Sequence, residues 1–233
     1  MLFVAVGMGA VAALVVGGQS GRVANDSSAT NKVESGELET TGSARALEET
    51  ATGDSDILTD EVSFTHRATE ENCRGDYTYI SDPNTNGDPN AIVLVSDQEA
   101  AGTSSYEHNI GVWYEPGARK WAIFNQDRTA VPSGATFEVE VPPTGATFVH
   151  RAGVLNTANN YTYLDDELTN DEPDAVLSVT QNWNPGGGRG VYNDHPVGVV
   201  YDAKLKKWAV FNRDGAPMPK GASFNIAVPA EAS

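Results

Sequence analysis

The octet KWAIFNQD, Lys120 to Asp127, returns later in the chain as KWAVFNRD, Lys207 to Asp214. Outward from it the match spreads over most of the sequence. FTHRA at Phe64 answers FVHRA at Phe148, YTYI at Tyr77 answers YTYL at Tyr161, and DPNA at Asp88 answers EPDA at Glu172. GVWY at Gly111 answers GVVY at Gly198, and VPSGATFEVEV at Val131 answers MPKGASFNIAV at Met218. The offset is roughly 84 residues up to the middle of the repeat and about 87 after it, so the second copy carries a small insertion near NWNPGGGRG, Asn182 to Gly190. A duplication on this scale resolves the 233-residue chain into two units of roughly 80 residues, each large enough to bury a core.

The periodicity within each copy is that of strands. Phe137, Val139 and Val141 alternate with Thr136, Glu138 and Glu140, and Phe224, Ile226 and Val228 repeat the pattern, as in strands with one face buried. Ala91 to Val95 (AIVLV) and Ala175 to Val179 (AVLSV) are near-continuous apolar runs, the signature of a central strand covered on both faces. Gly111 to Tyr114 and Trp121 to Asn125 flank EPGAR, whose Pro-Gly pair forms turns, so they read as a hairpin. The octet is then the second arm of that hairpin, and Asn-x-Asp is its stop, because these side chains bond nearby backbone groups in turns. No helical pattern follows residue 62. The expected fold is all-β: two tandem antiparallel β-sandwiches, immunoglobulin-like or jelly-roll, over 62–141 and 148–229. The link between them, 142–147, is short and Pro-stiffened, which predicts a semi-rigid rod.

Composition narrows the function. A formal charge of −17 and a pI near 4.4 repel nucleic acid and anionic membranes and argue against polyanion ligands. Cys73 is the single cysteine, with Thr157 at its counterpart, so no disulfide framework exists. Residues 1–24 open with the apolar run MLFVAVGMGAVAALVVGG and read as a signal peptide, with a retained membrane anchor as the rival; any membrane contact is expected only through this segment. Residues 25–61 lose their aromatics and fill with Ser, Thr, Glu, Asp and Gly, the composition of a flexible acidic arm.

Candidate sites are few. Asp82, Asn84, Asn86 and Asp88 fit the opening D-x-N-x-N-G of a calcium loop, though Val93 stands where the closing Glu belongs; the competing reading is a plain Asn-Gly turn. Calcium is the one cofactor this spacing brings into view. Asn25 and Asn160 head N-x-[ST] triplets, the acceptor pattern for N-linked glycan. The histidines are matched, His66 with His150 and His108 with His195, and read either as bonded strand residues or as acid–base or metal groups. No nucleophile elbow, zincin helix, P-loop or dinucleotide fingerprint is present, so an enzyme is not expected. Trp113, Trp121, Trp183 and Trp208, with Tyr114 and Phe124 beside them, are candidates for stacking on sugar rings, although Val200 replaces Trp113 in the second copy.

The combined pattern H-x-x-G-V-x-Y, a short turn, K-W-A-[IV]-F-N-x-D and [VM]-P-x-G-A-x-F resembles a family of secreted bacterial repeat domains of unassigned function, over Phe64 to Val228. That resemblance implies an extracellular all-β module, often in tandem, and transfers no catalytic residue. The expectation is therefore an extracellular structural protein that associates with itself, as a filament subunit assembled through sheet edges and an arm segment such as Ile57 to Phe64. The alternative is a carbohydrate-binding or adhesive module whose partner is a glycan.

Overall fold

The computed structural model describes residues 61–97 and 106–229, all within one compact unit, Asp54–Ser233. The apolar segment 1–24, the arm up to residue 60 and the Asn25 acceptor lie outside the described residues. The first repeat forms β1 (Val62–Arg67), β2 (Cys73–Arg74), β3 (Tyr77–Tyr79), β4 (Leu94–Asp97), β5 (Ile110–Glu115), β6 (Lys120–Asn125) and β7 (Thr136–Val141). The second repeats the series as β8 (Thr147–Arg151), β9 (Thr157–Ala158), β10 (Tyr161–Tyr163), β11 (Ser178–Asn182), β12 (Val197–Asp202), β13 (Lys207–Asn212) and β14 (Ser223–Ala227). The one helical element among the described residues is a 3-10 turn, Pro185–Gly187, inside the insertion.

Each repeat packs a three-stranded against a four-stranded layer. In the first, β1-β7-β4 faces β2-β3-β6-β5; in the second, β8-β14-β11 faces β12-β13-β10-β9. The cores lie between the layers. Trp121, Ile123, Phe137 and Val139 fill the first, and Leu164, Val210, Phe224 and Ile226 the second. A buried imidazole closes each core from matched positions. Nε2 of His66 lies 2.9 Å from the Thr78 hydroxyl, and Nε2 of His150 lies 2.7 Å from that of Thr162.

The repeats do not meet as separate beads. β5 pairs in parallel with β11, Gln181 opposite Gly111 and Asn182 opposite Val112, while every other pairing is antiparallel. This junction fuses two layers into one seven-stranded sheet, β2-β3-β6-β5-β11-β14-β8, that crosses the repeat boundary. The expected rod with a linker is corrected accordingly: β8 begins at Thr147, and what precedes it is a turn held by the Ala146 N–H to the Pro143 carbonyl at 3.4 Å.

Two strand readings change for the same reason. The apolar runs start their strands late, and β4 is a sheet margin, not a central strand. Among the described residues no further strand pairs with its outer edge; side chains of the second repeat bond it instead. The Thr180 hydroxyl accepts from the Val95 N–H at 2.9 Å, and Asn225 Nδ2 donates to the Val93 carbonyl at 2.8 Å. β14 reads as half-buried by its alternation, yet Ser223 and Asn225 are as buried as Phe224 and Ile226. The polar face of β14 is covered by the first repeat, and its buried amide is bonded there, as burial requires.

Candidate functional site

β5 and the insertion of the second repeat build the junction together. The Trp183 N–H donates to the Val112 carbonyl at 2.9 Å. One residue on, the buried Asn184 side chain takes over the role of a strand: its Oδ1 accepts the Tyr114 N–H and its Nδ2 donates to the Tyr114 carbonyl, both at 2.8 Å. An amide carries one acceptor and two donors in one plane, so it can satisfy both backbone groups of a strand residue at once. Glycine is required where the chain folds back. A Cβ on Gly190 would lie 2.0 Å from the Trp183 carbonyl oxygen and 2.3 Å from its indole, so any side chain there would dislodge Trp183. At the pairing point, a Cβ on Gly111 would meet the Phe124 ring at 2.9 Å.

The result is an aromatic cleft of about 240 Å³ on the seam between the repeats. Tyr77, Trp113 and Phe124 line it from β3, β5 and β6 of the first repeat, and Trp183 and Tyr192 from the second. Asp76 and Arg128 complete it with one charge of each sign. The rings support one another edge to face: Trp113 with Trp183 at 6.2 Å, Trp113 with Tyr77 at 5.5 Å, and Phe124 with Tyr192 at 6.0 Å. Such contacts orient rings that would otherwise turn freely. The Arg128 guanidinium carbon sits 4.4 Å from the Tyr192 ring centre, within cation–π range.

The matched face of the second repeat carries a different cleft, lined by Tyr161, Tyr163, Val200 and Tyr201 with no tryptophan and no arginine. Val200 stands for Trp113, Gly215 for Arg128 and Asn160 for Asp76, while Tyr161 lies flat against Phe211 at 5.4 Å.

The four tryptophans therefore divide. Trp113 and Trp183 come together in the cleft. Trp121 is wholly buried, its Nε1–H donating to the Asp88 carbonyl at 2.9 Å, so as a sugar-stacking residue it is corrected: it has no open face. Trp208 packs against the second core and Tyr201, away from the cleft, with its Nε1–H on the Glu172 carbonyl at 2.8 Å.

The Asp82 loop folds on itself. Asp82 Oδ1 accepts from the Asn84 N–H and from Asn84 Nδ2, both at 2.9 Å, and Asp88 Oδ1 accepts from the Asn90 N–H. The Asn86 N–H donates to the Asp82 carbonyl at 2.9 Å. The second repeat makes the same turn with Leu168 in place of Asn84, through Asp166 Oδ1, so the turn needs only its aspartate. Asn160 lies in the turn between β9 and β10 and donates through Nδ2 to the Asn212 carbonyl at 3.0 Å. Among the described residues no group of three or more His, Cys, Asp or Glu side chains is placed to hold a metal. Cys73 is half-buried and free.

The end of the octet does more than stop a strand. Asp127 Oδ2 lies 2.6 Å from His108 Nδ1, and Asp214 Oδ2 lies 2.7 Å from His195 Nδ1. Each pair ties the loop before the hairpin to the turn after it. The Thr129 hydroxyl donates to Asp127 Oδ1, and this bond, ahead of that from His108, holds the carboxyl below its ordinary range. For Asp214 the leading cause is the Ala216 backbone N–H. Sequence reading pairs the histidines with each other and misses their partners, although both His–Asp separations are the same, 19 residues.

The model of the family Domain of unknown function (DUF7452) matches residues 56–141 and again 111–228. The chain belongs to this family. Its two matches overlap over 111–141, which spans most of β5 and all of β6 and β7. No curated protein and no solved structure shows a significant match to the chain. A family of unassigned function arranged in tandem agrees with the repeat pattern, and it assigns no role to any side chain.

Proposed function

We propose that the protein is a carbohydrate-binding module of the cell exterior and that its binding site is the aromatic cleft between the repeats. The observation that carries this reading is the convergence of Trp113, Trp183, Tyr77 and Tyr192 on one solvent-reached seam, with Asp76 and Arg128 among them. Small-ligand sites combine apolar and aromatic walls with a few placed polar groups, and a pyranose offers apolar C–H faces to rings and hydroxyls to charges. The volume is below the ~300 Å³ at which pockets for drug-sized ligands begin, which suits one sugar ring and not a large cofactor. The apolar run Met1 to Gly18 supports an exported protein. Calorimetric titration with a panel of neutral and acidic oligosaccharides tests the reading. Binding lost on Trp113→Val, the residue of the sister repeat, is expected; a panel without any Trp113-dependent binder would sink it.

A second observation favours self-association, the structural role. Every large apolar side chain exposed by more than a third among the described residues lies between Val149 and Leu205, in the second repeat. Leu155 is fully exposed and shares a groove with Tyr163, Leu205 and Lys207; the same groove of the first repeat holds Glu71, Tyr79, Ala118 and Lys120. Light scattering across a concentration series tests it. A monomer at every concentration would exclude assembly through this face. The arm segment has less to offer than its sequence suggests, since Val62 to Phe64 are already paired with Val139 to Val141 in β1 and β7.

A further inference from the structure

We infer that the cleft selects a glycan carrying a single carboxylated sugar, and that Arg128 is the residue that reads the carboxylate. This rests on the cleft being a sugar site and adds the class of sugar.

Three observations converge on Arg128. The first is its backbone. Arg128 has φ of 65°, the left-handed region that L side chains disfavour by roughly 1–2 kcal/mol. The matched position in the second repeat is Gly215, at φ of 79°, and the two turns are otherwise alike: each residue's N–H donates to the matched asparagine carbonyl, Asn125 or Asn212, at 3.1 Å. The turn is thus built for glycine, and the first repeat holds an arginine there against backbone preference. Strain retained at one position of a duplicated turn points to a use for the side chain.

The second observation is what the guanidinium lacks. The chain has 32 acidic side chains against 15 basic, yet Arg128 forms no ion pair and no side-chain hydrogen bond among the described residues, even with Asp76 on the same cleft. Among the described residues its guanidinium faces the Tyr192 ring, which attracts the charge but accepts none of its N–H donors. Arg128 is exposed, so its fork of donors, set against a ring and without a protein acceptor among the described residues, is open to a carboxylate that can bind it bidentately.

The third is location. Arg128 lies on the same cleft as Trp113 and Trp183, so a ring stacked on the indoles brings its exocyclic groups toward the guanidinium, with Asp76 left to accept sugar hydroxyls. The net charge of −17 limits the ligand further. A polyuronate would be repelled as a whole, whereas one acidic sugar on an otherwise neutral glycan gains the local pairing without the long-range cost.

The test uses a neutral oligosaccharide ending in one glucuronic acid beside its methyl ester, which keeps the ring and removes the charge. Calorimetric titration of the full protein should give at least tenfold tighter binding of the acid than of the ester. Arg128→Gly installs the sister residue and relieves the backbone, so it should fold as well as the parent; it should erase the preference, the acid then binding no more tightly than the ester. Arg128→Lys should restore part of the preference. Trp113→Val should abolish both. Equal affinity for acid and ester in the parent, or an Arg128→Gly variant that keeps the preference, would overturn the role of Arg128 while leaving the sugar site standing. Failure of both ligands, with neutral sugars also failing, would remove the sugar site itself.

Discussion

Trp121 and Trp208 occupy the same place in the two octets and live in different surroundings: the first is sealed in a core, the second only half-covered. The difference runs through the two repeats. Positions shared by both copies build sheets: the buried histidines and their threonines, the Asn-x-Asp turns, the glycines at the head of β5 and β12. Positions where the copies differ cluster at the junction and on open surface: Trp113 against Val200, Arg128 against Gly215, Glu70 and Glu71 against Val154 and Leu155. Duplication kept the scaffold twice and left one copy of each surface position to be specialised, so the differences mark the candidate site better than the matches do.

The largest expected effect breaks the comparison at the tryptophans. Trp121→Ala leaves a cavity in a fully packed core and should cost about 4 kcal/mol, while Trp208→Ala should cost less than half of that; urea unfolding followed by circular dichroism measures both. Equal losses would show that the second core depends on its tryptophan as much as the first.

Acid should reveal what the repeats share. Burial lowers the His66 imidazole below its ordinary value of 6.5 and takes His150 to about 4. His150 stays neutral in the folded protein down to about 4 while the unfolded chain gains protons near 6.5, so the unfolded state binds more protons between those values, and the lowered His66 adds in the same direction. Stability is complete above pH 6.5 and falls as the pH drops toward about 4, by roughly 3 kcal/mol from His150 alone. His150→Gln should flatten that slope in urea midpoints read at several pH values, and an unchanged slope would rule the imidazole out.

Asn184 has no counterpart in the first repeat and sharpens the contrast at the junction. Asn184→Ala strands both backbone groups of Tyr114 and should cost about 2 kcal/mol, with slowed hydrogen exchange lost at Tyr114. The smallest effect on stability comes from returning first-repeat residues to the second. Val154→Glu with Leu155→Glu should change stability by less than about 0.5 kcal/mol while abolishing any concentration-dependent association.

The all-β class, the strand sequence and the hairpins were legible because alternation and Pro-Gly or Asx turns act over a few residues, and the repeat states each signal twice. The junction was not legible. Whether β11 finds β5 or stands at an edge depends on partners about 70 residues apart, and apolar patterning is silent on pairing across such a distance. The buried Ser223 and Asn225 show the same limit, since a polar face reads as solvent until another layer covers it. Three of the five rings of the cleft, Trp113, Phe124 and Trp183, were legible as stacking candidates; Tyr77, Tyr192, Asp76 and Arg128 were not, because only the closed junction gathers them. The clearest overlooked signal was NQDR against NRDG, an arginine facing a glycine just past the octet.

The seven-stranded sheet makes the pair a single thermodynamic object. Neither repeat can melt alone without stripping β5 or β11 of its partner and leaving the Thr180, Asn184 and Asn225 side chains without the backbone groups they bond. Heat or urea should therefore remove both repeats in one transition, with a denaturant slope set by the surface of both and not of one. What the sequence writes as two units, cooperativity counts as one.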